Sequence, residues 1–502
     1  MAAGMGRLTS LVAAAAVAGL VAAQDHVELK LYPTPRTGVV PPNFASFSWE
    51  VSGALQMLSG DGATAPPRAS LMNLLNNLRA LDASGQGANI RVGGDSTDGS
   101  VYAPPSVPLP VNVTYRITGV DLAAYAAGAP LFNGTITAGV NFRNASAPAF
   151  AVAHTAALLA TLPSGVLEAV EIGNECDLYA QNGIRAPDYN GSQYLAEWAT
   201  YASALYNQTA LRAPAIQGLT FCCHTLPVDA AIPAYENGEA DAYASISMHY
   251  YPLNGRAVPP PTVAQLMANS SSAGVTALAP IAAAAAARGR RFVIGEGNSA
   301  YDGGAWGLSN AMASALWAVD TMFWAATMNA SRFNFHGGPI SAYTPIGYAN
   351  ASDPACPPIV NPLYYGMYLF SHAVANDSAV VTLETVSTTN PLIVSWATRS
   401  AAGIWRLVVL YKDPTATQLA GISVAPQTPY VHCNATLYTL QPASGNLSAT
   451  TGLSYSGISF NTPDGLPAGT FNTTPVPLIK GAFYFPVPPA SASILEFSSI
   501  LC

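Results

Sequence analysis

Charged side chains are scarce in this sequence of 502 residues, where Asp, Glu, Lys and Arg together make up only 9%. The net charge is −8 and the 19 Lys and Arg residues form no basic cluster, which argues against a nucleic-acid backbone or an anionic membrane surface as a partner. Half of the residues are hydrophobic, so the chain can form a large domain and a smaller one, each with its own core. A substrate is therefore expected to be neutral or recognised by local contacts.

Cysteine and histidine are also infrequent, with six and seven residues, and neither type follows a metal-binding spacing. We therefore expect no metal and no cofactor. A thiol nucleophile is not expected either, because Cys176 and the adjacent Cys222 and Cys223 lack a Cys/His/Asn signature. The disulfide connectivity cannot be deduced from the sequence.

Long apolar runs are missing beyond the N-terminus, and the Ala-rich stretch 281–287 is too short to span a bilayer. Residues 1–23 combine a charged start, an apolar run at 11–21 and a small-residue exit, which is typical of a secretory signal peptide. About a dozen Asn-x-Ser/Thr sites predict a glycosylated surface. The mature protein is expected to be secreted, with an acidic vacuole or lysosome as alternative destinations, and its oligomeric state stays open.

Between about residues 44 and 370, short β-rich runs alternate with Ala- and Leu-rich segments of helical pattern. Such alternation is typical of βα units around a parallel sheet. The predicted strands are 44–50, 89–92, 131–137, 167–172, 215–221, 244–249, 291–294 and 332–335. Eight such runs predict an α/β fold with a closed (β/α)8 TIM barrel over residues 39–375.

The composition changes after about residue 375 to Thr-, Val- and Ser-rich stretches broken by Pro and Gly. Stretches 392–397, 405–411, 435–440 and 482–487 are predicted to be strands of a smaller C-terminal β-sandwich domain, residues 376–502. Residues 24–38 contain a strand-like alternation at 27–32, and we expect them to join the same sandwich.

Two glutamates follow predicted barrel strands. Segment 167–175 (Leu-Glu-Ala-Val-Glu-Ile-Gly-Asn-Glu) places Glu175 after the fourth strand, and segment 291–299 (Arg-Phe-Val-Ile-Gly-Glu-Gly-Asn-Ser) places Glu296 after the seventh. The carboxyl ends of barrel strands form the active-site face, so both are expected at one rim. Glycoside hydrolysis needs two carboxylates, one on either side of the scissile bond. Either residue alone is equally compatible with a helix-capping turn, but the pair favours catalysis.

The sequence resembles glycoside hydrolase family 79, which contains heparanases and microbial and fungal β-glucuronidases. The resemblance rests on Ile-Gly-Asn-Glu at 172–175 and Ile-Gly-Glu-Gly-Asn-Ser at 294–299. It extends to Arg-Val-Gly-Gly-Asp-Ser-Thr-Asp at 91–98, Met-His-Tyr-Tyr at 248–251, Phe-His-Gly-Gly at 335–338 and the C-terminal β-domain. It therefore covers essentially the whole mature chain.

This resemblance implies a role for each matching residue. Glu175 would be the acid/base, Glu296 the nucleophile, and Asn174 a hydrogen-bond partner of the sugar 2-hydroxyl. The carboxylate of a glucuronic acid would be bound by backbone N–H groups of Gly337 and Gly338 and by a tyrosine hydroxyl, Tyr343.

Further site residues follow from the same resemblance. Tyr301 would lie close to the nucleophile and orient it. Tyr250 and Tyr251 are adjacent, and only one of them can face the mouth of the barrel if side chains alternate along the strand. Tyr250 is expected to be that one. Glu50 would contact the distal hydroxyls of the sugar, with Asp95, Ser96 and Thr97 at the same edge.

The sequence thus predicts a secreted retaining β-glycosidase acting on β-linked glucuronic acid in glycans or glucuronides. A sibling barrel glycosidase for a neutral sugar is the alternative enzyme, since it shares the two glutamates. A carbohydrate-binding or cell-wall protein without catalysis is the alternative outside the enzymes, but it would not need both carboxylates.

Overall fold

A computed structural model of the chain describes residues 23–60, 66–144, 147–223, 243–427 and 434–498. The predicted signal peptide lies outside the described residues except for Ala23, and so do Cys433 and Cys502.

Eight parallel strands of the described chain close into a barrel, which confirms the predicted (β/α)8 fold. Each strand pairs with the next in sequence, and the eighth pairs with the first through Phe333 opposite Ala45. The barrel strands are Ala45–Glu50, Asn89–Gly93, Thr135–Val140, Leu167–Ile172, Ile216–Phe221, Tyr243–Tyr250, Arg291–Gly297 and Ala330–Gly337.

The third strand begins four residues later than the expected 131–137. Residues Ala129–Phe132 form a 3-10 helix that starts with Pro130 in its first turn and ends at Asn133 in the left-handed conformation. The ring of Phe132 is fully buried, so this residue packs into the core from a helical turn and not from a strand.

Helices cover the outside of the barrel and pack their apolar faces against the strands. The α-helices are Val51–Ser59, Ala69–Arg79, Gly119–Gly128, Ala149–Thr161, Gly191–Gln208, Val263–Met267, Asn269–Ala273, Ala279–Ala287, Met312–Thr327 and Pro362–Val374. The 3-10 helices are Asp95–Thr97, Ala129–Phe132, Cys176–Leu178 and Gly274–Leu278. Short strand pairs join Ser100–Tyr102 to Tyr115–Ile117, Leu253–Asn254 to Ala300–Tyr301, and Ile346–Tyr348 to Pro358–Val360.

A separate sheet-rich region follows the barrel and contains thirteen described strands with a second hydrophobic core. The first of these strands comes from the N-terminus and pairs parallel to one C-terminal strand and antiparallel to another. The strands are Asp25–Val39, Ser378–Thr388, Ile393–Ser400, Ile404–Tyr411, Ala420–Pro426, Ala435–Pro442, Leu453–Tyr455, Ile458–Ser459, Ala468–Gly469, Thr474–Val476, Leu478–Ile479, Ala482–Val487 and Ser491–Ser498.

One buried ion pair joins the sheet-rich region to the barrel. Asp320, on the almost fully buried helix Met312–Thr327, accepts hydrogen bonds from Lys412 Nζ at 2.6 Å and from Trp396 Nε1 at 2.9 Å. Both donors lie in or beside the sheet, so this contact holds the barrel helix Met312–Thr327 against the sheet.

One segment, 269–287, is long and apolar enough by composition to cross a membrane. In the structure it consists of three short helical pieces, and Val275, Leu278 and Ile281 are buried in the outer layer of the barrel. Core helices of soluble proteins pass the same compositional test. The expectation of no membrane span stays a prediction.

Candidate active site

The two glutamates lie together at the carboxyl end of the barrel. Glu175 follows the fourth strand after a glycine turn and itself adopts the left-handed conformation, with φ of 46°. Gly173 is required in that turn, since its φ is 77° and a side chain would meet the Tyr179 hydroxyl at 2.6 Å. Glu296 is the penultimate residue of the seventh strand. One carboxylate oxygen of Glu175 lies within 4.8 Å of one of Glu296.

Two basic side chains and a hydroxyl donor contact the carboxylate of Glu296. Its Oε2 lies 2.6 Å from Arg91 Nη1 and 3.6 Å from His336 Nδ1, and its Oε1 accepts a hydrogen bond of 2.8 Å from the Tyr251 hydroxyl. Burial alone would raise the pKa of Glu296. Interactions with His336, His249 and Arg91 and the Tyr251 hydrogen bond outweigh that effect and hold its pKa well below the usual range. Glu296 is therefore ionised.

The carboxyl of Glu175 has the opposite electrostatic environment. Burial, the nearby charge of Glu296 and that of Asp177 raise the pKa of Glu175. Its Oε1 lies 2.8 Å from Nδ1 of His249, a histidine whose pKa is lowered to about 4 by burial. A neutral imidazole does not favour the carboxylate as a cation would, so Glu175 keeps its proton near neutral pH.

Arg91 is the fully buried centre of the network beneath the two glutamates. Besides contacting Glu296, its guanidinium lies 2.5 Å from Glu171 and donates to Asn174 Oδ1 at 2.8 Å. The side-chain amide nitrogen of Asn174 donates a hydrogen bond of 3.3 Å to Asp95 Oδ1. This places Asn174 rigidly between Arg91 and the rim, with its orientation set by both neighbours.

Glu50 binds the short 3-10 helix that follows the second strand. Its carboxylate accepts hydrogen bonds from the N–H groups of Asp95 and Ser96 and from the Ser96 hydroxyl, and it lies 3.3 Å from His336 Nε2. Burial opposes its ionisation, but His336 and Ser96 outweigh that and lower the pKa of Glu50. Burial and the charges of Glu175 and Glu296 raise the pKa of Asp95, at the rim, to about 7.

Thr97 does not lie at this edge, contrary to expectation. It is buried, and its side chain packs against Gly139 on the third strand, where a β-carbon would come within 2.9 Å of its hydroxyl. The 3-10 turn points Asp95 and Ser96 to the mouth and Thr97 toward the barrel wall.

The two adjacent tyrosines have the opposite orientation to the one expected. The Tyr250 hydroxyl donates to the Ser271 carbonyl on the helix side of the barrel, whereas the Tyr251 hydroxyl donates to Glu296. Met248 belongs to the core between strands and helices, and alternation sends Tyr250 the same way. Tyr301 is 43% exposed, and its ring packs edge-on against Tyr251 at 6.4 Å. The hydroxyl that contacts Glu296 is thus that of Tyr251.

Tyr343 lies at the mouth, but the two glycines expected beside it do not form an open loop. Gly337 is the last residue of the eighth strand, buried and paired with Trp49, and Gly338 follows it half-buried. The glycines that pack against Tyr343 are instead Gly303 and Gly304. The carbonyl of Gly303 accepts hydrogen bonds from Ala342 and Tyr343, and its backbone interacts with the Tyr343 hydroxyl.

Cys176 and the adjacent pair Cys222 and Cys223 offer no activated thiol. Cys222 and Cys223 form a disulfide, and their N–H groups donate to the carboxylate of Asp177. Cys176 is buried, and burial raises its pKa well above the ordinary value. A thiolate nucleophile is therefore not formed at this site.

Within the described residues, the arrangement nearest to a metal site is the group of Glu175, His249 and Glu296. Arg91 already provides a positive charge 2.6 Å from Glu296, where a cation would otherwise be needed. We therefore assign this group to proton chemistry. The expectation of a metal-free site stays a prediction.

The chain is similar in sequence to two fungal proteins named β-glucuronidase. It is 24% identical to the one from Neurospora crassa over 470 residues, which are 85% of this chain and 81% of that protein. It is 24% identical to the one from Aspergillus niger over 490 residues, 87% of each chain. No protein-family model matches the chain.

The fold is similar to that of a 4-O-α-L-rhamnosyl-β-D-glucuronidase from Fusarium oxysporum 12S. The TM-score is 0.77 at 19% identity, and the match covers 94% of this chain and 100% of that one. These comparisons support a glycosidase. Reasoning from sequence did not assign Arg91, Tyr251, His249 and His336 to the candidate site. The available signal was a polar residue at every second position of a barrel strand, which points it into the barrel.

Proposed function

We propose that the chain is a retaining β-glucuronidase, with Glu296 as nucleophile and Glu175 as acid/base. The observation that carries the proposal is that two carboxyl groups at one barrel rim have different partners. Glu296 lies 2.6 Å from the Arg91 guanidinium and accepts a hydrogen bond from Tyr251, whereas Glu175 lies 2.8 Å from the buried ring of His249. The pKa of Glu296 is lowered and that of Glu175 is raised accordingly. Retaining glycosidases keep their carboxyl groups about 5–5.5 Å apart, and the approach of Glu175 to Glu296 within 4.8 Å supports that class over the wider inverting one.

In the first step of this mechanism, ionised Glu296 attacks the anomeric carbon while protonated Glu175 gives its proton to the departing oxygen. Esterified Glu296 no longer carries the charge that raised the pKa of Glu175, so Glu175 then works as a base and activates water. Asn174, held by Arg91, is oriented to contact the sugar 2-hydroxyl. The product keeps its anomeric configuration.

The choice of glucuronate rests on the relatives named β-glucuronidase and on the donors beside Tyr343. No described acceptor takes the proton of the Tyr343 hydroxyl, which faces Glu296, Glu50 and Asp95. The N–H of Gly304 likewise has no described acceptor. Neutral donors of this kind can bind a carboxylate. We infer that Gly303 and Gly304 take the place first assigned to Gly337 and Gly338.

Three further parts complete the proposal. The motifs at 91–98, 172–175 and 294–299 favour glycoside hydrolase family 79. The apolar N-terminus and the Asn-x-Ser/Thr sites favour secretion of a mature chain that begins near residue 24. The pairing of the first described strand with the C-terminal sheet favours a domain made of 24–38 and 376–502 around a barrel of 39–375.

A panel of aryl β-glycosides with one leaving group tests the substrate. We expect the purified protein to turn over the glucuronide far faster than the glucoside, xyloside or arabinoside. Preference for a neutral sugar would leave the two-glutamate mechanism in place but reject the glucuronidase proposal. Turnover of none of them, with folded protein, would favour a non-catalytic carbohydrate-binding role.

Tyr343→Phe should lower kcat/KM for the aryl β-glucuronide by about 1.5–3 kcal/mol, roughly 10- to 150-fold, because one hydrogen bond to a charged group is lost. The matching glucoside should change much less. Tyr250→Phe is the matched control, since its hydroxyl contacts the Ser271 carbonyl away from the mouth. An equal loss on both substrates in Tyr343→Phe would argue against a role in carboxylate recognition.

A further inference from the structure

His336 lies between two carboxylates of the site on the eighth barrel strand and is buried. Its Nε2 lies 3.3 Å from Glu50 Oε1, on the first strand. Its Nδ1 lies 2.9 Å from the Ser48 hydroxyl and 3.6 Å from Glu296 Oε2, on the seventh strand. The ring therefore links Glu50, which accepts hydrogen bonds from the turn at Asp95 and Ser96, to Glu296, the proposed nucleophile.

The hydrogen bonds around Ser48 accommodate a charged ring. The Ser48 hydroxyl already accepts a hydrogen bond of 3.1 Å from Arg91 Nη1, and it has a second lone pair for another donor. A doubly protonated His336 can donate to Glu50 from Nε2 and to Ser48 from Nδ1. That places a positive charge beside Glu296.

Counting charges also favours the protonated ring. Arg91 contacts both Glu171 and Glu296, so it is shared between two buried carboxylates. Glu50 adds a third. Without a charge on His336, one buried cation would face three carboxylates, and burial makes unbalanced charge costly.

The titratable groups that face His336 come from five strand ends of the barrel. They are Glu50 on the first strand, Arg91 on the second, Asp95 beyond the second, Glu175 after the fourth, Glu296 on the seventh and Tyr343 after the eighth. Burial would lower the pKa of His336, but Glu296 and Glu50 outweigh this and raise it.

We propose that His336 is a positioning residue that holds a proton throughout turnover and keeps Glu296 ionised and Glu50 fixed against the rim. The inference rests on the proposed role of Glu296 as nucleophile. When Glu296 becomes an ester, the carboxylate of Glu50 still faces the His336 ring, so the ring keeps its proton. The carboxylate released in the second step then re-forms beside a cation that is already in position.

His336→Gln tests this, because glutamine can hydrogen-bond to Glu50 and Ser48 but cannot carry charge. Losing the charge raises the pKa of Glu296, so the acidic limb of kcat/KM for the aryl β-glucuronide should move up by about one pH unit. Activity on that limb should fall about tenfold, with a smaller change near neutral pH. His372→Gln, the same substitution at the contact with Tyr455, is the control and should leave the limb in place. An unmoved acidic limb in a folded His336→Gln would overturn the proposal.

A titration of the wild-type histidine ring protons by NMR gives a second test that needs no stable His336 variant. Ser48→Ala, which removes the partner of Nδ1, identifies the signal. We expect a ring that stays charged above the ordinary range for histidine and whose pKa falls when a fluorinated glycoside esterifies Glu296. A ring that is neutral from pH 4 to 7 would overturn the proposal. The titration of untreated protein reads this charge whether or not glucuronides are substrates, so it separates this proposal from the proposed function.

Discussion

Replacing Glu296 by glutamine should lower kcat on the best aryl β-glucuronide by roughly 10⁴–10⁶-fold, the scale on which loss of a covalent nucleophile is felt. The amide is nearly isosteric and can still bond to Arg91 and Tyr251, but it cannot attack the anomeric carbon. Steady-state kinetics on folded protein measures the loss. Glu197→Gln is the control. Glu197 lies on the outer helix Gly191–Gln208 and pairs with Arg185, so this substitution should leave kcat unchanged.

Azide can restore activity to a variant that lacks an essential carboxylate, and the stereochemistry of the product distinguishes a nucleophile from other carboxylates. In Glu296→Gly, azide can enter the space of the missing side chain and displace the leaving group directly, which inverts the anomeric centre. The expected product is therefore the α-glycosyl azide. A β-glycosyl azide, or partial activity without azide, would mean that the covalent intermediate forms on another group.

Glu175→Gln should have an effect that depends on the leaving group. For natural glycosides the loss should be about 10²–10⁴-fold, the usual contribution of general acid–base catalysis. Aryl glycosides with very acidic phenols depart without a proton, so their first step should be spared and the second step should become limiting. Burst kinetics and a comparison of phenols measure this.

Azide distinguishes this variant as well. It should attack the intermediate on Glu296 without needing a base, restore turnover and give the β-glycosyl azide by two inversions. Equal loss on all leaving groups with no azide product would contradict the assignment of Glu175 as acid/base.

The barrel and its two glutamates could be predicted from sequence because both depend on local pattern. Buried β-branched runs of four to eight residues between helical segments mark parallel strands, and strand 167–172 has the bounds that the structure gives it. Glu175 and Glu296 each follow such a run next to glycine, so strand order alone places them at one rim.

The predictions that were wrong depended on contacts across the barrel or on the direction of one side chain. Tyr250 ends the sixth strand and Tyr251 follows it, so their side chains point in opposite directions, and the apolar Met248 marked the helix side and not the mouth. Gly337 looked like a loop because two glycines adjoin, yet its pairing with Trp49 extends the eighth strand. A strand pattern does not show how far pairing continues.

The polar residues inside the barrel are a different case. Arg91, His249 and His336 each lie in a strand along which polar and apolar residues alternate, and that period was visible in the sequence. Their function was not, because it comes from partners on other strands: Arg91 contacts Glu171 and Glu296, 80 and 205 residues away. Only the closed barrel brings these groups together.

Trapping with a 2-deoxy-2-fluoro-β-glucuronide carrying a good leaving group tests the central claim most directly. The fluorine slows both steps, and the good leaving group lets the first one proceed, so the ester on the nucleophile accumulates. Peptide mapping should find one added fluoroglucuronosyl group, on Glu296, with time-dependent loss of activity, while the matching fluoroglucoside reacts far more slowly. A label on Glu171, Glu50 or another carboxylate, or faster trapping by the glucoside, would contradict the account.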